Sequence, residues 1–394
     1  MQLSELIQIA DSQLLSVTKR HNAVMQSGKG MRMTDTAGNE YLDFVGGWAV
    51  TCLGHSPMAI IDAITEQADQ LINSSPSYYN LPMLEYTKLL VDNTCLDRVF
   101  FASSGAEANE GAIKLARKYG QKHKNGAYEI ITTSNAFHGR TLTTMAATGK
   151  AKWKDLYEPK TKGFKQAVFN DLESVASLVN ENTVAIMLEP VQGEGGVNVA
   201  TQEFMQGLRN LCDEQGLLLI LDEVQTGFGR TGKLFAYEHY GIEPDIMSLA
   251  KGIAGGFPLS ALLAKEFLNI FEAGDQGATY SSQPLGMAVG KAVLQELLDK
   301  DIPEHAAHMG RYLKSMLQEL SEIYRISNIR GEGLLLAFDV GSNIAGKISD
   351  QCFANGLLIN ACKPDSLRLM PPLIVNKNEI DEMLEIVAQF LTRR

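Results

Sequence analysis

Lys251 is placed where a lysine side chain can act as a buried amine. It ends the apolar stretch 246–250 and precedes a turn that contains Gly252, Gly255 and Gly256. An ordinary lysine is protonated near neutral pH and cannot attack a carbonyl carbon, so such a site must favour the neutral amine or its conjugated imine. Taken alone, Lys251 fits a strand-end lysine that reaches solvent better than it fits a covalent bond to a cofactor.

Asp222 supplies a carboxylate at the end of a second apolar stretch, which covers residues 217–221. A buried carboxylate can keep a pyridine nitrogen protonated, so that the ring accepts electrons when a substrate carbon loses its proton. A lysine that bonds an aldehyde and an aspartate that pairs with a ring nitrogen together indicate pyridoxal phosphate as the cofactor. The alternative is an aspartate that caps a helix or begins a turn.

A phosphate site is predicted in residues 103–109, which follow a predicted strand and open a predicted helix. Small residues let the backbone approach an anion, and the free N–H groups at a helix start bind phosphate. Ser104, Gly105 and Ala106 are therefore the predicted phosphate-binding residues. The same Ser-Gly pair is also common as a plain helix cap. The sequence has no Gly-x-x-x-x-Gly-Lys-Ser/Thr motif, which disfavours a nucleoside triphosphatase.

Two arginines are placed where they could bind carboxylates. Arg140 follows a predicted strand in the segment Phe137-His-Gly-Arg140, where Phe137 could stack on a cofactor ring. Arg368 is framed by apolar residues and prolines, which predicts burial with a partner, and Glu194 in a glycine-rich loop could be that partner. The alternatives are a core phenylalanine beside a surface arginine, and a purely structural salt bridge.

The elements that must position these residues alternate between strands and helices from about residue 55 to residue 290. This pattern predicts a mostly parallel sheet covered by helices on both faces. Ligands of such sheets collect at the carboxyl ends of the strands, where Ser104, Asp222 and Lys251 fall. After residue 290, helices and short strands predict a smaller α+β domain, and a hairpin is predicted near residues 33–44. The predicted strands of the large sheet are 98–102, 128–133, 183–191, 217–222, 246–250 and 260–264.

The composition excludes several classes of partner. The chain of 394 residues has a net charge of −11 and no block of lysine or arginine, so nucleic acid and anionic membranes are not expected partners. The longest apolar stretches are too short to span a bilayer, and the N-terminus lacks the pattern of a signal peptide. Five scattered cysteines form no Cys-x-x-Cys, and the histidines show no metal-ligand spacing. We therefore expect a cytoplasmic protein without a metal site.

Taken in order, these segments resemble the class III (ornithine-type) aminotransferases, a pyridoxal-phosphate family of fold type I. The most specific likeness is residues 221–232, Leu-Asp-Glu-Val-Gln-Thr-Gly-Phe-Gly-Arg-Thr-Gly, followed by Lys251. The resemblance covers nearly the whole chain. It implies an α/β fold with a large cofactor-binding domain at residues 55–290 and a small domain made of residues 1–54 and 291–394.

The resemblance also implies roles for single residues. Lys251 and Asp222 would be the catalytic residues. Val224 would lie under the cofactor ring and Gln225 near its phenolic oxygen. Thr279 would reach the phosphate of the neighbouring subunit, so that a homodimer is needed for activity. The implied cofactor-binding residues are Ser104, Gly105, Ala106, Phe137, Asp222, Glu223, Val224, Gln225, Lys251 and Thr279.

Within the family, segments 137–140, 191–196 and 367–373 are most similar to the acetylornithine aminotransferases. That likeness implies that Arg140 binds the α-carboxylate of N-acetylornithine. Arg368 would bind the acceptor 2-oxoglutarate, and Glu194 would mask Arg368 during the other half-reaction. Ornithine, N-succinylornithine and 4-aminobutyrate stay open as donors, and so does an aminomutase, epimerase or decarboxylase on the same fold.

One segment departs from the family pattern. The family usually has Gly-Ser-Thr, an aromatic residue and Gly-Gly-Asn-Pro, whereas this chain has Gly-Ala278-Thr279-Tyr-Ser281-Ser282-Gln-Pro. Ala278 has no hydroxyl to donate near the substrate, and two serines replace two glycines. The chemistry of Lys251 should survive these changes. These changes would instead alter the substrate preference and the geometry at the edge of the dimer.

Overall fold

The computed structural model describes residues 2–341 and 343–393, and its largest element is a seven-stranded sheet. Ser260–Ala264 runs antiparallel to both of its neighbours, whereas every other neighbouring pair is parallel. The predicted mostly parallel sheet is therefore confirmed. Its strands lie in the order Arg98–Ala102, Ser260–Ala264, Ile246–Leu249, Leu218–Asp222, Thr183–Leu188, Glu129–Thr133 and Phe164–Ala167.

Helices cover both faces of this sheet, which explains why its central strands are apolar at nearly every position. Alternate residues of a strand point to opposite faces. Leu219 and Leu221 belong to one core together with the helix Gln202–Gln215, whereas Leu218 and Ile220 belong to a second core with the helix Gly105–His123. A strand with two buried faces cannot alternate between apolar and polar residues.

Two four-stranded sheets lie outside the large sheet. One contains Met25–Lys29, Arg32–Asp35, Glu40–Asp43 and Leu357–Leu358, and the other contains Ser327–Glu332, Leu335–Asp339, Ser366–Leu369 and Asn360–Lys363. The predicted hairpin is present, since Arg32–Asp35 pairs with Glu40–Asp43. Leu357–Leu358 pairs with Glu40–Asp43 in parallel. This pairing of distant segments supports the division that we propose, in which residues 1–54 and 291–394 form the small domain.

Two helices of the C-terminal part begin at residues that are typical of helix starts. Pro284 begins the helix Pro284–Asp299, where the missing N–H of proline costs no hydrogen bond. At the start of Lys377–Ala388, the Asn376 side chain accepts a hydrogen bond from the Glu379 N–H, and the Glu379 carboxylate accepts one from the Asn376 N–H. The other helices are Leu3–Gln13, Gly46–Ala49, Met58–Gln70, Leu81–Val91, Leu142–Ala147, Leu172–Ala176, Ile302–Ile323 and Ala345–Ala354.

The parallel strands place chemically active residues along one edge of the large sheet. Ser104, Phe137, Glu189, Asp222 and Lys251 each lie at, or within four residues of, the carboxyl end of a strand, and these strands all run in the same direction. The two short strands Val191–Gln192 and Asn198–Val199 form a ribbon beside this edge. Among the described residues, no helix is both long and apolar enough to cross a membrane.

Candidate active site

A cavity of about 400 Å³ lies at the carboxyl edge of the large sheet, within the usual size range of small-molecule sites. Most of the predicted site residues line it, although they come from widely separated parts of the sequence. The predicted residues that line the cavity are Ser104, Gly105, Ala106, Phe137, Arg140, Glu194, Asp222, Val224, Gln225 and Lys251.

Lys251 begins the turn that follows the strand Ile246–Leu249. Its φ is +48°, in the left-handed region that side chains other than glycine rarely adopt, so the surrounding structure must impose this conformation. Burial lowers the pKa of the Lys251 amine to about 8, and the negative charges of Glu194 and Asp222 oppose that shift. At pH 7 roughly a tenth of such an amine is neutral, compared with less than a thousandth of an ordinary lysine.

Asp222 is held by three donors and is only 3% exposed. Its Oδ2 accepts hydrogen bonds from Asn109 Nδ2 and from the His138 ring Nδ1, both at 2.8 Å. Its Oδ1 accepts one from the Val224 N–H at 3.0 Å. Burial lowers the pKa of His138, but the hydrogen bond to Asp222 and the negative charges of Asp222 and Glu189 together outweigh burial, and the net shift of the pKa is upward. Because Oδ1 has a single donor, it retains a lone pair for a cationic ring nitrogen.

The predicted phosphate site lies at the start of the helix Gly105–His123. Ser104 caps this helix, since its side chain accepts a hydrogen bond from the Glu107 N–H at 3.4 Å. A Cβ at Gly105 would come within 2.9 Å of Val224 Cγ1, which is closer than real contacts allow. Glycine therefore lets the helix start lie directly against Val224, and the free backbone N–H groups there can bind a phosphate.

Phe137 and Gln225 lie on other walls of the cavity. The Phe137 N–H donates to Glu189 Oε2 at 2.9 Å, and burial raises the pKa of Glu189 to about 7. Among the described residues, the side-chain oxygen of Gln225 is buried without a hydrogen-bond partner. A buried amide oxygen without a partner is costly unless a bound molecule supplies one. An amine, a carboxylate, a phosphate cradle and this unpaired amide together fit pyridoxal phosphate.

Arg368 and Glu194 form an ion pair beside the cavity. Arg368 Nη2 donates to Glu194 Oε1 at 2.8 Å, although Arg368 itself is only 1% exposed. Asn360 Oδ1 and the Gly193 carbonyl also accept hydrogen bonds from Arg368. Burial raises the pKa of Glu194, but the charge and hydrogen bond of Arg368, together with the charges of Lys150 and Lys251, outweigh burial and the pKa falls to about 2. The partner that the sequence predicted for Arg368 is therefore the one present.

Sequence reasoning gave no role to Lys150, which lies beside Glu194 and Phe137, or to Trp153, which lies beside Arg140. Lys150 Nζ lies 3.4 Å from Glu194 Oε2 and 4.9 Å from the centre of the Phe137 ring. The Arg140 guanidinium lies 5.7 Å from the centre of the Trp153 ring. His138 and Asn109, which hold Asp222, were also given no role. No spacing in the sequence links these residues to their partners.

Four predicted site residues do not line the cavity of their own chain: Arg368, which contacts the lining residue Glu194, and Glu223, Ala278 and Thr279. The Glu223 side chain accepts hydrogen bonds from Thr226 Oγ1 at 2.9 Å and from the N–H groups of Ala236 and Tyr237. Glu223 therefore holds the segment after Leu218–Asp222 in place, and its side chain points away from the cavity. Ala278 and Thr279 lie in a turn outside the cavity, and Thr279 is exposed.

Comparison with known proteins gives a consistent result. The family model of class III aminotransferases matches residues 15–391. A protein of Ralstonia nicotianae named acetylornithine aminotransferase is 52% identical, and the match covers 96% of each chain. The ornithine aminotransferase structure of Toxoplasma gondii has a TM-score of 0.94 at 29% identity and covers 99% of this chain and 94% of that chain. The acetylornithine aminotransferase structure of Elizabethkingia anophelis has a TM-score of 0.87 at 31% identity, with coverage of 99% and 98%.

The chemistry of the cavity and the match over nearly the full length agree with each other. A partly buried lysine with a lowered pKa, a buried aspartate and a helix start whose N–H groups can bind an anion lie together on a fold of the same kind as these aminotransferases. The chain belongs to the class III aminotransferase family and is a pyridoxal-phosphate-dependent aminotransferase.

Proposed function

We propose that the protein transfers the terminal amino group of N-acetylornithine to 2-oxoglutarate, which gives N-acetylglutamate 5-semialdehyde and glutamate in arginine biosynthesis. The observation that carries this proposal is a pair of arginines, Arg140 in the cavity lining and Arg368 beside it. Within the described part of the chain, only Arg368 of these two is covered by a carboxylate, that of Glu194. The names of the relatives from Ralstonia nicotianae and Elizabethkingia anophelis support the donor.

Bound pyridoxal phosphate supplies a carbonyl group for the amine and a ring that withdraws electrons from the substrate carbon. We assign its phosphate to the helix start at Ser104, Gly105 and Ala106. Asp222 would keep a proton on the ring nitrogen, because a buried carboxylate favours the cationic form of a group beside it. Phe137 and Val224 would cover the two faces of the ring and exclude water, and Gln225 would lie near the phenolic oxygen.

Lys251 moves the proton in this proposal. The free amine of Lys251 has a pKa of about 8, lowered mainly by burial. A neutral amine can take a proton from the substrate carbon, and the resulting ammonium can return that proton elsewhere. A catalytic pKa near the working pH serves both steps.

The two arginines separate the two half-reactions by charge. N-acetylornithine has one carboxylate, which Arg140 binds, and Glu194 neutralises Arg368 during that half-reaction. 2-Oxoglutarate has two carboxylates, so Glu194 must leave Arg368 before the second one can bind. To accept both a monocarboxylate donor and a dicarboxylate acceptor, the site needs the charge of Arg368 covered in one half-reaction and free in the other.

Other donors and reactions of the family remain distinguishable by experiment. Ornithine is the second candidate donor, because the Toxoplasma gondii structure is that of an ornithine aminotransferase. N-succinylornithine and 4-aminobutyrate are further candidates. An aminomutase or decarboxylase on this fold needs no dicarboxylate acceptor, so it would keep its activity after Arg368→Ala, whereas the transaminase would lose it.

We further propose a cytoplasmic homodimer in which Thr279 of each subunit reaches the phosphate at the other subunit's cavity. Ala278 would lie near the partner's substrate in the same arrangement. The exposed position of Thr279, outside the cavity of its own chain, supports this proposal. Residues from two subunits would then complete each active site.

The experiment that tests the donor is a panel of ω-amines added to the purified holoenzyme. The donor half-reaction is followed by the visible absorbance of the cofactor, and each keto acid is then tested for restoring the initial spectrum. We expect N-acetylornithine to react with a kcat/KM at least roughly tenfold above that of ornithine or 4-aminobutyrate, and 2-oxoglutarate to restore the spectrum. A higher kcat/KM for ornithine would reject the proposed donor.

A further inference from the structure

Glu194 lies between two cations, Arg368 and Lys150. Of these two, Arg368 is a proposed substrate-binding residue and Lys150 is not. Its Oε1 accepts a hydrogen bond from Arg368 Nη2 at 2.8 Å, while its Oε2 lies 3.4 Å from Lys150 Nζ. The first distance is that of a strong charge-assisted hydrogen bond, and the second is well above it. Lys150 is therefore the less engaged of the two cations, and its contact with Glu194 has room to shorten.

The position of Lys150 is well defined. Its Nζ lies 4.9 Å from the centre of the Phe137 ring and 5.3 Å from the centre of the Trp153 ring, so the ammonium also interacts with two aromatic faces. The preceding residue, Gly149, lets the backbone pass close to the end of a strand, because a Cβ there would lie 2.2 Å from the Thr133 carbonyl oxygen. The strand that ends at Thr133 thereby holds Lys150 beside the cavity.

Arg368 does not depend on Glu194 for its orientation. Asn360 Oδ1 accepts hydrogen bonds from Arg368 Nε at 3.1 Å and from Nη2 at 2.9 Å, and the Gly193 carbonyl accepts one from Nη1 at 2.7 Å. These contacts can hold the guanidinium when the carboxylate of Glu194 leaves. The departing carboxylate, in contrast, is partly buried and needs another cation, since an unpaired charge in such a place is costly.

We propose that Lys150 is a positioning residue that receives the Glu194 carboxylate when a carboxylate of the acceptor binds Arg368. This inference rests on the proposed function, which supplies the dicarboxylate acceptor. When Glu194 leaves Arg368, its carboxylate comes closer to Lys150 than it is while it covers Arg368. Lys150 therefore stabilises the state in which Arg368 is free more than the state in which Arg368 is covered. Binding of the acceptor should therefore depend on Lys150 more strongly than binding of the amine donor.

The test compares the two half-reactions of the holoenzyme in the variants Lys150→Met and Lys150→Arg. In Lys150→Met, the concentration of 2-oxoglutarate that gives half the maximal rate should rise roughly tenfold, while the corresponding value for the donor changes less than about threefold. Lys150→Arg keeps a cation at this position and should restore acceptor binding to within about threefold of the wild type. Lys152→Met, at the exposed neighbour 6.0 Å from the Trp153 ring, is the control and should behave as the wild type.

A double substitution tests whether Lys150 acts through Glu194. In Glu194→Gln the carboxylate is gone, so adding Lys150→Met should change acceptor binding less than about twofold. Equal losses in both half-reactions of Lys150→Met, no loss in either, or an undiminished loss in the Glu194→Gln background would each overturn the inference. A wild-type enzyme that 2-oxoglutarate does not restore would instead reject the proposed function, which keeps the two failures distinct.

Discussion

Asp222 illustrates how much depends on the charge of one side chain. Its Oδ2 is occupied by Asn109 and His138, and its Oδ1 retains a free lone pair. A carboxylate about 4 Å from a cationic nitrogen attracts it by roughly 4 kcal/mol at an effective dielectric near 20, before desolvation is counted. A change to asparagine keeps the shape of the side chain and one of its two acceptor positions, but it removes the charge and with it this attraction.

We therefore expect Asp222→Asn to reduce kcat/KM by on the order of 10³-fold while the protein stays folded and still binds the cofactor. The kinetics of the donor half-reaction check the rate, and the visible spectrum checks cofactor binding. Glu223→Gln is a suitable comparison, because Glu223 is the adjacent buried carboxylate and does not line the cavity. A loss in Asp222→Asn no larger than in Glu223→Gln would argue against a role for the charge.

At this scale, sequence reasoning located the reactive groups but not the residues that hold them. Asp222 could be predicted because it ends an apolar strand, and the ligand edge of a parallel sheet lies at such ends. Its contact with Asn109 joins residues 113 positions apart, and its contact with His138 joins residues 84 positions apart. A single sequence contains no local pattern that marks such contacts. Lys150 was missed for the same reason.

Among the elements, buried strands were the easiest to predict. Arg98–Ala102 and Ser260–Ala264 have the predicted bounds, and each is an apolar run after one polar first residue. Phe164–Ala167 was missed, since this strand at the end of the sheet is only partly buried and contains polar residues. The antiparallel direction of Ser260–Ala264 could not be predicted, because an apolar run has the same pattern in either direction.

Two serines follow Thr279, and replacing each of them with glycine should change the free energy of unfolding in opposite directions. Ser282 has a φ of +54°, so glycine would remove backbone strain there. Ser281 Oγ donates a hydrogen bond to the Phe101 carbonyl at 2.7 Å in a buried position, so glycine would leave that carbonyl without this donor.

We expect Ser282→Gly to raise the free energy of unfolding by up to about 1 kcal/mol and Ser281→Gly to lower it by about 1–2 kcal/mol. Urea unfolding of the apoprotein, with both variants measured beside the wild type, checks the two signs. Stabilisation by Ser281→Gly would mean that its hydroxyl contributes nothing to holding the turn against the sheet.

At the scale of the whole molecule, the exposed surface indicates what a single chain lacks. A group of large apolar side chains is exposed around the turn that contains Thr279: Ile72, Tyr78, Tyr79, Leu81, Leu84 and Tyr280. The segments are joined, because Asn80 Nδ2 donates to the Ser282 carbonyl at 2.9 Å. Exposed apolar groups of this kind mark association surfaces. Their grouping in space could not be predicted from the sequence, since it depends on where residues 72–84 pack.

If Thr279 completes the partner's site, two inactive variants should restore each other within one dimer. Lys251→Ala has no amine but an intact Thr279, and Thr279→Asp keeps Lys251 but repels the partner's phosphate. In a heterodimer of the two, one of the two sites has a full set of residues, so the purified heterodimer should have about half the wild-type kcat per dimer.

The matched control pairs Lys251→Ala with Ser104→Asp, which places the same repulsive charge beside the phosphate site of its own chain. Aspartate is a good helix cap, so Ser104→Asp should fold. In that heterodimer each site lacks either the lysine or a working phosphate cradle, and no activity should return. Differently tagged subunits, co-expressed and purified over both tags, give the heterodimers. If the two heterodimers had equal activity, Thr279 and Ser104 would serve the cavity of the same chain. If light scattering showed a monomer, no residue could be shared between subunits.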